Sequence, residues 1–214
     1  LQSIVKKAAV DRLGAKYGLT WLPETGAIYQ IRFSLMKDIC EVFLDTSGLS
    51  LHKRGYRAVG NDAPLHETMA AAMVNLARYR GRDFFWDPFC GSGTICIEAA
   101  LAAINRAPGL GRSFAGEDFA NIPRALWDTA REEAQARIRT DCRFEVYASD
   151  IDENILDVVY ENALRAGVEE YMNIFHLTYE NIQNHISLRS LQLIHYSSQM
   201  VLQSHKSLVQ KASQ

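Results

Sequence analysis

Apolar positions recur at helical and strand spacing through the first part of the chain. Residues 3–16 place apolar side chains every three to four positions, which predicts an amphipathic helix. Residues 28–35 alternate in part and residues 39–45 are rich in apolar side chains, so two strands are predicted. Because a helix and a strand pair are too small to fold alone, we expect residues 1–47 to be part of a larger domain.

Strand and helix patterns alternate regularly from residue 65 onward. Such an order is typical of a parallel α/β sheet. Gly167 follows the last helical pattern, at a position where a glycine commonly ends a helix. The predicted elements are a helix at 65–78, a strand at 83–86, a helix at 92–103, a helix at 124–139, a strand at 144–149, a helix at 153–165 and a strand at 172–177.

Residues 181–214 differ in composition from the rest of the chain. The protein has 25 acidic residues, and none of them lies after residue 180. The same stretch has no proline and no glycine, and it is rich in serine and glutamine. We expect a divergent tail, either an exposed helical segment or one read from another frame. The predicted domains are therefore 1–47, 48–180 and 181–214. A first residue other than methionine indicates a fragment or an incomplete gene.

The composition is ordinary for a soluble globular protein, with 48% hydrophobic and 22% charged residues. A net charge of −2 gives no overall attraction to nucleic acid, so a local basic patch would have to supply it. The four cysteines form no C-x-x-C pair and no histidine cluster accompanies them, so no metal site is expected. Without a signal peptide or a bilayer-length apolar run, we expect a cytoplasmic protein with reduced, buried thiols and no membrane partner.

The strongest chemical signal follows the predicted strand at 83–86, where the sequence reads DPFCGSGT. The chain must turn sharply after Asp87, and Gly91 and Gly93 lack side chains, so that a ligand can approach the backbone. The helix that begins near Ser92 presents free N–H groups at this turn. Because open α/β sheets bind ligands at the carboxyl ends of their strands, the sequence predicts a nucleotide-type site here.

Two nucleotide-type ligands fit this loop unequally. Enzymes that bind S-adenosylmethionine through an Asp-Pro-x-x-Gly-x-Gly loop place an acid at the strand end, near the methionine part of the ligand. A carboxylate attracts the ammonium and sulfonium cations, whereas it would repel the pyrophosphate of a dinucleotide. The dinucleotide motif also needs a third glycine, and Cys96 stands at that position. Glu117 and Asp118 lie closer to the spacing of an NAD-binding acid, so an NAD-dependent oxidoreductase stays as an alternative.

A second acidic position follows the predicted strand at 144–149. Asp150 can accept two hydrogen bonds from a ribose diol, and Ile151 can pack on an adenine. Asp152 is predicted to cap the next helix. The separation from the glycines is longer than the usual spacing of about 20 residues. The loop and helix at 104–140 fill the difference.

Four segments in order make the sequence resemble a known family. They read LHKRGYR, APLHETMAAAMV, FWDPFCGSGTICIEAALAAINRAPGLGRSF and YASDID. These segments resemble bacterial RNA methyltransferases that carry a THUMP domain, such as the 23S rRNA guanine-N2 methyltransferases. The resemblance covers residues 1–177. It implies an α/β fold with an incomplete Rossmann-like class I sheet, preceded by the C-terminal part of a THUMP domain at 1–47.

The resemblance also implies S-adenosylmethionine as the cofactor and a role for individual residues in binding it. Asp150 and Ile151 match the ribose and adenine positions. Glu67 and Thr68 fall in a helix that covers the methionine end of the cofactor. The cofactor loop comprises Asp87, Pro88, Phe89, Cys90, Gly91, Ser92, Gly93 and Thr94.

A basic segment precedes the cofactor-binding elements and is the candidate contact with ribosomal RNA. Its cationic side chains are expected to meet RNA phosphates, and its aromatic ring is expected to stack on a base. The residues concerned are Lys53, Arg54, Tyr56 and Arg57.

The family's Asn-Pro-Pro-Tyr motif is absent, because the chain has no proline after Pro123. That motif holds the target amine in line with the methyl group and stacks on the flipped base. The resemblance thus implies a methyltransferase for an exocyclic base amine of rRNA, N2 of guanine first, with weak or no activity in this chain. A truncated or frame-shifted form would explain the loss. A non-catalytic cofactor- or RNA-binding remnant is the main alternative.

Overall fold

A computed structural model describes residues 2–22, 25–57 and 65–177. The predicted tail at 181–214 and the predicted helix-start signals at 61–64 lie outside these ranges. Within the described residues, none of the helices has both the length and the apolar character needed to cross a bilayer. The chain divides into two compact units, which we call the hairpin unit, Leu1–Gly48 with Ala115–Ile122, and the sheet unit, Leu49–Phe114 with Pro123–Gln214.

The hairpin unit contains the helix and strand pair predicted from the first residues. The two strands are antiparallel and are joined by Lys37 and Asp38, whose φ angles of 50° and 61° suit a tight two-residue turn. Asp45 ends β2 and accepts the N–H groups of Ser47 and Gly48 in the turn that follows the strand. The elements are α1 (Gln2–Tyr17), β1 (Gln30–Met36), β2 (Ile39–Asp45) and a 3-10 helix (Ala115–Asp118).

The sheet unit is the predicted parallel α/β arrangement. Its three strands lie in the order β3-β4-β5, and both pairs are parallel, which confirms the prediction from the alternating pattern. The elements are α2 (Glu67–Leu76), β3 (Phe85–Asp87), α3 (Thr94–Ala103), α4 (Arg124–Ala136), β4 (Val146–Asp150), α5 (Glu153–Ala166), a 3-10 helix (Glu169–Tyr171) and β5 (Met172–His176).

The core of the sheet unit lies between the sheet and helices α3 and α5, with α2 packed on α3. Helix α3 is apolar nearly all round, and eight of its ten residues are buried, so it is enclosed by neighbours and not merely packed on one face. Val146 on β4 and Val159 on α5 are fully buried in the same cluster. Gly167 ends α5 at a φ of 66°, as its position in the sequence predicts.

Two expectations need correction. The helix predicted to start at residue 92 begins at Thr94, because Gly93 adopts a left-handed φ of 78° that cannot continue a helix. The expectation of buried thiols holds for Cys90 and Cys96 but is wrong for Cys40, which lies exposed on β2.

Candidate functional site

The candidate site lies where β3 and β4 end side by side. In the parallel register Asp87 is paired with Ala148, so Asp87 and Asp150 lie at the same edge of the sheet. The segment that joins β3 to α3, residues 87–94, is the glycine loop of the sequence prediction. The geometry thus brings the two acids predicted for the cofactor to a common edge.

Backbone hydrogen bonds hold the glycine loop against the end of β4. The N–H of Cys90 donates to the carbonyl of Ser149 at 2.9 Å. The N–H of Gly91 donates to Asp150 Oδ2 at 2.8 Å, and the N–H of Phe89 donates to Asp87 Oδ1 at 3.2 Å. The two carboxylates therefore shape the turn as well as line the site.

The start of α3 is set by Gly93 and its contact with α5. A Cβ atom on Gly93 would lie 2.7 Å from Cγ1 of Val159, so only glycine fits both the φ angle and the space. Buried Asn162 donates from Nδ2 to the carbonyl of Ser92 at 3.1 Å and secures the same turn. Within the described residues no side chain caps α3, so the N–H groups of its first turn are available to a ligand.

Substituting Gly93 by alanine is expected to destabilise the protein by about 2–4 kcal/mol, through the left-handed φ and the overlap with Val159. Gly91→Ala is the matched control, because Gly91 has a φ of 52° but open space at its Cβ position. Its loss should be about 1 kcal/mol. Chemical denaturation of the ligand-free proteins measures both values. Equal losses would show that the contact with Val159 does not constrain the turn.

Asp87 has an electrostatic environment that disfavours its charge. Burial at the strand end and the nearby Asp150 carboxylate raise the pKa of Asp87 to about 6, although the N–H of Phe89 acts in the opposite direction. A cation bound beside Asp87 would restore the ionised form. The site therefore favours a positively charged ligand group at the end of β3.

Asp150 holds the turns on both sides of it, and its contact with a ribose remains a prediction. Asp150 Oδ1 accepts the N–H of Asp152 at 3.1 Å, so each of its oxygens already accepts one backbone hydrogen bond. Ile151 is 60% exposed and has a face free to receive a flat ring. Asp152 caps α5 by accepting the N–H of Asn154 at 3.0 Å, which confirms the predicted cap.

Most side chains of the basic segment predicted to contact RNA point toward the interior of the sheet unit. Arg54 is paired with Glu98 at 2.7 Å, and the hydroxyl of Tyr56 donates to the same carboxylate at 2.9 Å. Because Tyr56 is only 5% exposed, its ring cannot stack on a base, and that expectation is wrong for this structure. Lys53 stays exposed, and its contact with RNA remains a prediction.

Arg57 joins three elements around the glycine loop. Its guanidinium pairs with Glu67 at 3.2 Å, donates to Thr94 Oγ1 at 3.0 Å and donates to the carbonyl of Leu65 at 2.9 Å. Glu67 is buried at the start of α2, whereas Thr68 beside it is exposed. Arg57 thus has a structural position in place of the RNA contact expected for it, and it fastens α2 to the start of α3.

Glu98 is the residue of this network that sequence reasoning missed. It is a single acid within the apolar helix TICIEAALAA, a pattern that signals a buried charge in need of a partner. Glu117 and Asp118, the acids that fit the spacing of the NAD alternative, lie in the 3-10 helix of the hairpin unit. The acid at the end of the strand next to β3 is Asp150.

Comparisons with known proteins agree with this arrangement. The family model described as the RMKL-like methyltransferase domain matches residues 54–191. YpsC of Bacillus subtilis, named as an RNA methyltransferase, is 47% identical over 169 residues, which are 78% of this chain and 44% of YpsC. The ribosomal RNA large subunit methyltransferase K/L of Psychromonas ingrahamii is 40% identical over 146 residues, which are 65% of this chain and 19% of that protein.

The solved structures that are similar to this chain are also those of methyltransferases. A predicted N6-adenine-specific DNA methylase from Listeria monocytogenes superposes with a TM-score of 0.79 at 42% identity, covering 83% of this chain and 47% of that one. SMU.472, named as a methyltransferase and solved in complex with SAH, gives 0.77 at 38% identity, covering 82% and 47%. This chain spans less than half the length of these relatives. It has the α/β fold of these methyltransferases, and it belongs to the family of the RMKL-like methyltransferase domain.

Proposed function

We propose that the sheet unit binds S-adenosylmethionine and that the protein methylates an exocyclic amine of a base in ribosomal RNA, N2 of guanine first. One observation carries the cofactor proposal. Asp87, whose charge is disfavoured without a cationic partner, stands at the start of a glycine loop that ends at the N–H groups of α3. When bound, the cofactor would supply a methyl group on a positively charged sulfonium.

The residues at the edge of the sheet fit the parts of this cofactor. Asp87 would accept the ammonium group and lie near the sulfonium, and the first turn of α3 would meet the carboxylate of the methionine moiety. Asp150 would accept the ribose hydroxyls, because each carboxylate oxygen has a second acceptor position beside its backbone bond. Exposed Ile151 would pack on the adenine. Glu67 and Thr68 would lie over the methionine end.

A dinucleotide fits the same edge less well. Its pyrophosphate would approach the Asp87 carboxylate at the end of β3, and the repulsion would oppose binding. Cys96 is fully buried where the dinucleotide motif has a glycine. The charge of Asp87 and the position of Cys96 favour the methyltransferase over the NAD-dependent oxidoreductase.

The proposal of an RNA substrate is based on the names of the relatives, and the proposal of a THUMP domain is based on residues 1–47. The relatives named above carry the names of RNA and ribosomal RNA methyltransferases, and we propose a cytoplasmic protein with the same class of substrate. We assign residues 1–47 to the C-terminal part of a THUMP domain. Since the Asn-Pro-Pro-Tyr motif is not in the 214 residues, we propose that they transfer methyl groups slowly by themselves. A non-catalytic remnant is the second candidate.

Isothermal titration of the full chain tests the cofactor proposal. We expect S-adenosylmethionine and S-adenosylhomocysteine to bind and NADH not to bind. Asp150→Asn should weaken cofactor binding about tenfold, because a hydrogen bond to a charged group contributes about 1.5–3 kcal/mol. Asp157→Asn, an exposed aspartate on α5, is the matched control and should bind normally. Binding of NADH alone would overturn the assignment.

A tritiated-methyl assay on unmodified 23S rRNA distinguishes slow methyl transfer from a remnant that transfers no methyl groups.

A further inference from the structure

A cavity of about 610 Å³ lies in the sheet unit, away from the glycine loop. It is lined by residues at the end of α2, the end of α3 and the loop after it, and the end of α4. Helix α3 starts at the glycine loop and has ten residues, so its two ends are about 15 Å apart. The cavity and the proposed cofactor site therefore lie toward opposite ends of this helix.

Arginine is the dominant charged residue of the cavity, which we call the arginine pocket. The lining includes five arginines and one acid: Arg54, Arg80, Arg106, Arg137, Arg139 and Glu98. The Glu98 carboxylate is paired with Arg54 at 2.7 Å and accepts from Tyr56, so its charge is neutralised inside the protein. Four guanidinium groups remain without a carboxylate among the described lining residues.

Helix capping accounts for only part of this charge. Arg139 Nη1 donates to the carbonyl of Ala103 at the end of α3, whereas Arg80 Nη1 donates to the carbonyl of Tyr79 in the segment after α2. Each helix C-terminus carries a partial charge of roughly −0.5, so the ends of α2, α3 and α4 balance at most about one and a half of the four positive charges. Each guanidinium has five N–H donors, and donors remain for a ligand.

We propose that the arginine pocket binds the phosphodiester backbone of RNA. Guanidinium forks bind phosphate oxygens in pairs, and backbone contacts of this kind position nucleic acid without reading its sequence. Arg80, Arg137 and Arg139 are exposed at the pocket, where a polymer can reach them. The volume exceeds that of one phosphate group and suits a short length of backbone. The identity of the polymer as RNA rests on the proposed function, whereas the phosphate chemistry does not.

Fluorescence anisotropy with a short labelled single-stranded RNA tests the pocket in the full chain. Arg137→Gln combined with Arg139→Gln should weaken RNA binding about tenfold and lower the slope of log K against log salt by about 1.4, since each lost contact to single-stranded RNA removes about 0.7. The matched control combines Arg82→Gln and Arg143→Gln, two exposed arginines outside the pocket lining that remove the same charge. The control should bind RNA like the parent.

Further arms separate the other outcomes. Equal losses in both double variants would reduce the effect to net charge and overturn the proposal. Binding of tripolyphosphate to the parent, measured by calorimetry, without any RNA binding would assign the pocket to a small phosphate ligand and also overturn the proposal. Arg137→Glu is a second variant that should weaken RNA binding, because Arg137 is exposed and donates no side-chain hydrogen bond in the described ranges. Titration with S-adenosylmethionine reports on the glycine loop and not on the arginine pocket. If the parent binds RNA but not S-adenosylmethionine, the result counts against the proposed function and not against the arginine pocket.

Discussion

Replacing Glu98 by alanine is expected to destabilise the sheet unit by about 3–5 kcal/mol, the loss typical of removing one partner from a buried ion pair. Glu98 is 2% exposed and accepts hydrogen bonds from Arg54 and Tyr56. Without the carboxylate, the Arg54 guanidinium would stay largely buried with no opposite charge, and the Tyr56 hydroxyl would lose its acceptor. Urea denaturation monitored by tryptophan fluorescence measures the loss.

Two further variants separate the ion pair from simple loss of side-chain volume. Combining Glu98→Leu with Arg54→Met should destabilise far less than Glu98→Ala, because paired apolar replacements remove both charges together. Glu161→Ala on the exposed side of α5 is the control and should change the free energy of unfolding by no more than about 0.5 kcal/mol. A loss below 1 kcal/mol for Glu98→Ala would show that the buried pair does not stabilise the fold.

The pH dependence of stability gives an independent signature of Glu98. Burial raises the pKa of Glu98 to about 7 despite the opposing effects of Arg54 and Tyr56. Between the unfolded pKa of about 4.5 and this value, the folded state binds more protons than the unfolded state. Protonation of Glu98 therefore adds stability that is fully present below pH 4.5 and is lost as the pH rises through 7, whereas the ionised carboxylate keeps its contacts with Arg54 and Tyr56. This decline should be absent in the variant that combines Glu98→Leu with Arg54→Met.

The elements of the sheet unit were predictable because local patterns determine them. Strands β3, β4 and β5 are short apolar runs, and α5 carries both an N-cap aspartate and a C-terminal glycine, Asp152 and Gly167. Asp87 and Asp150 could be assigned to one edge because the carboxyl ends of parallel strands meet there. These features depend on neighbours in the sequence or on a general property of α/β sheets.

The partners of the charged residues could not be predicted in this way. The composition of the basic segment predicts an RNA contact, yet Arg54 is paired with Glu98, 44 residues away in the sequence, and Tyr56 donates to the same side chain across 42 residues. The hydrogen bond from Gly91 to Asp150 spans 59 residues. Periodicity gives no information on such pairs, because they depend on how α3 is placed against segments distant in the chain. The sequence signal for this pairing is Glu98, a lone acid inside an apolar helix, which predicts a buried cationic partner such as Arg54.

The binding of S-adenosylmethionine is expected to weaken about tenfold for each pH unit below 6, with little change between pH 6.5 and 7. The cationic ligand binds the ionised Asp87 carboxylate, whereas burial raises the pKa of Asp87 to about 6 in the free protein. Below that pH a proton must leave before the cation can bind, so affinity falls as pH falls. The same linkage predicts release of about half a proton per cofactor at pH 6.

Asp87→Asn separates this effect from other titrating groups. The variant should bind S-adenosylmethionine about 10–100-fold more weakly at pH 7, a loss of about 1.5–3 kcal/mol for a hydrogen bond to a charged group, and should lose the pH dependence. His176 contacts the carbonyl of Ile151 at 3.0 Å, so His176→Gln tests whether this imidazole contributes. Asp157→Asn should keep the parent profile. Titration calorimetry in buffers of different ionisation enthalpy measures affinity and proton release together. A parent affinity that is flat from pH 5 to 7 would show that Asp87 does not meet the positive end of the cofactor.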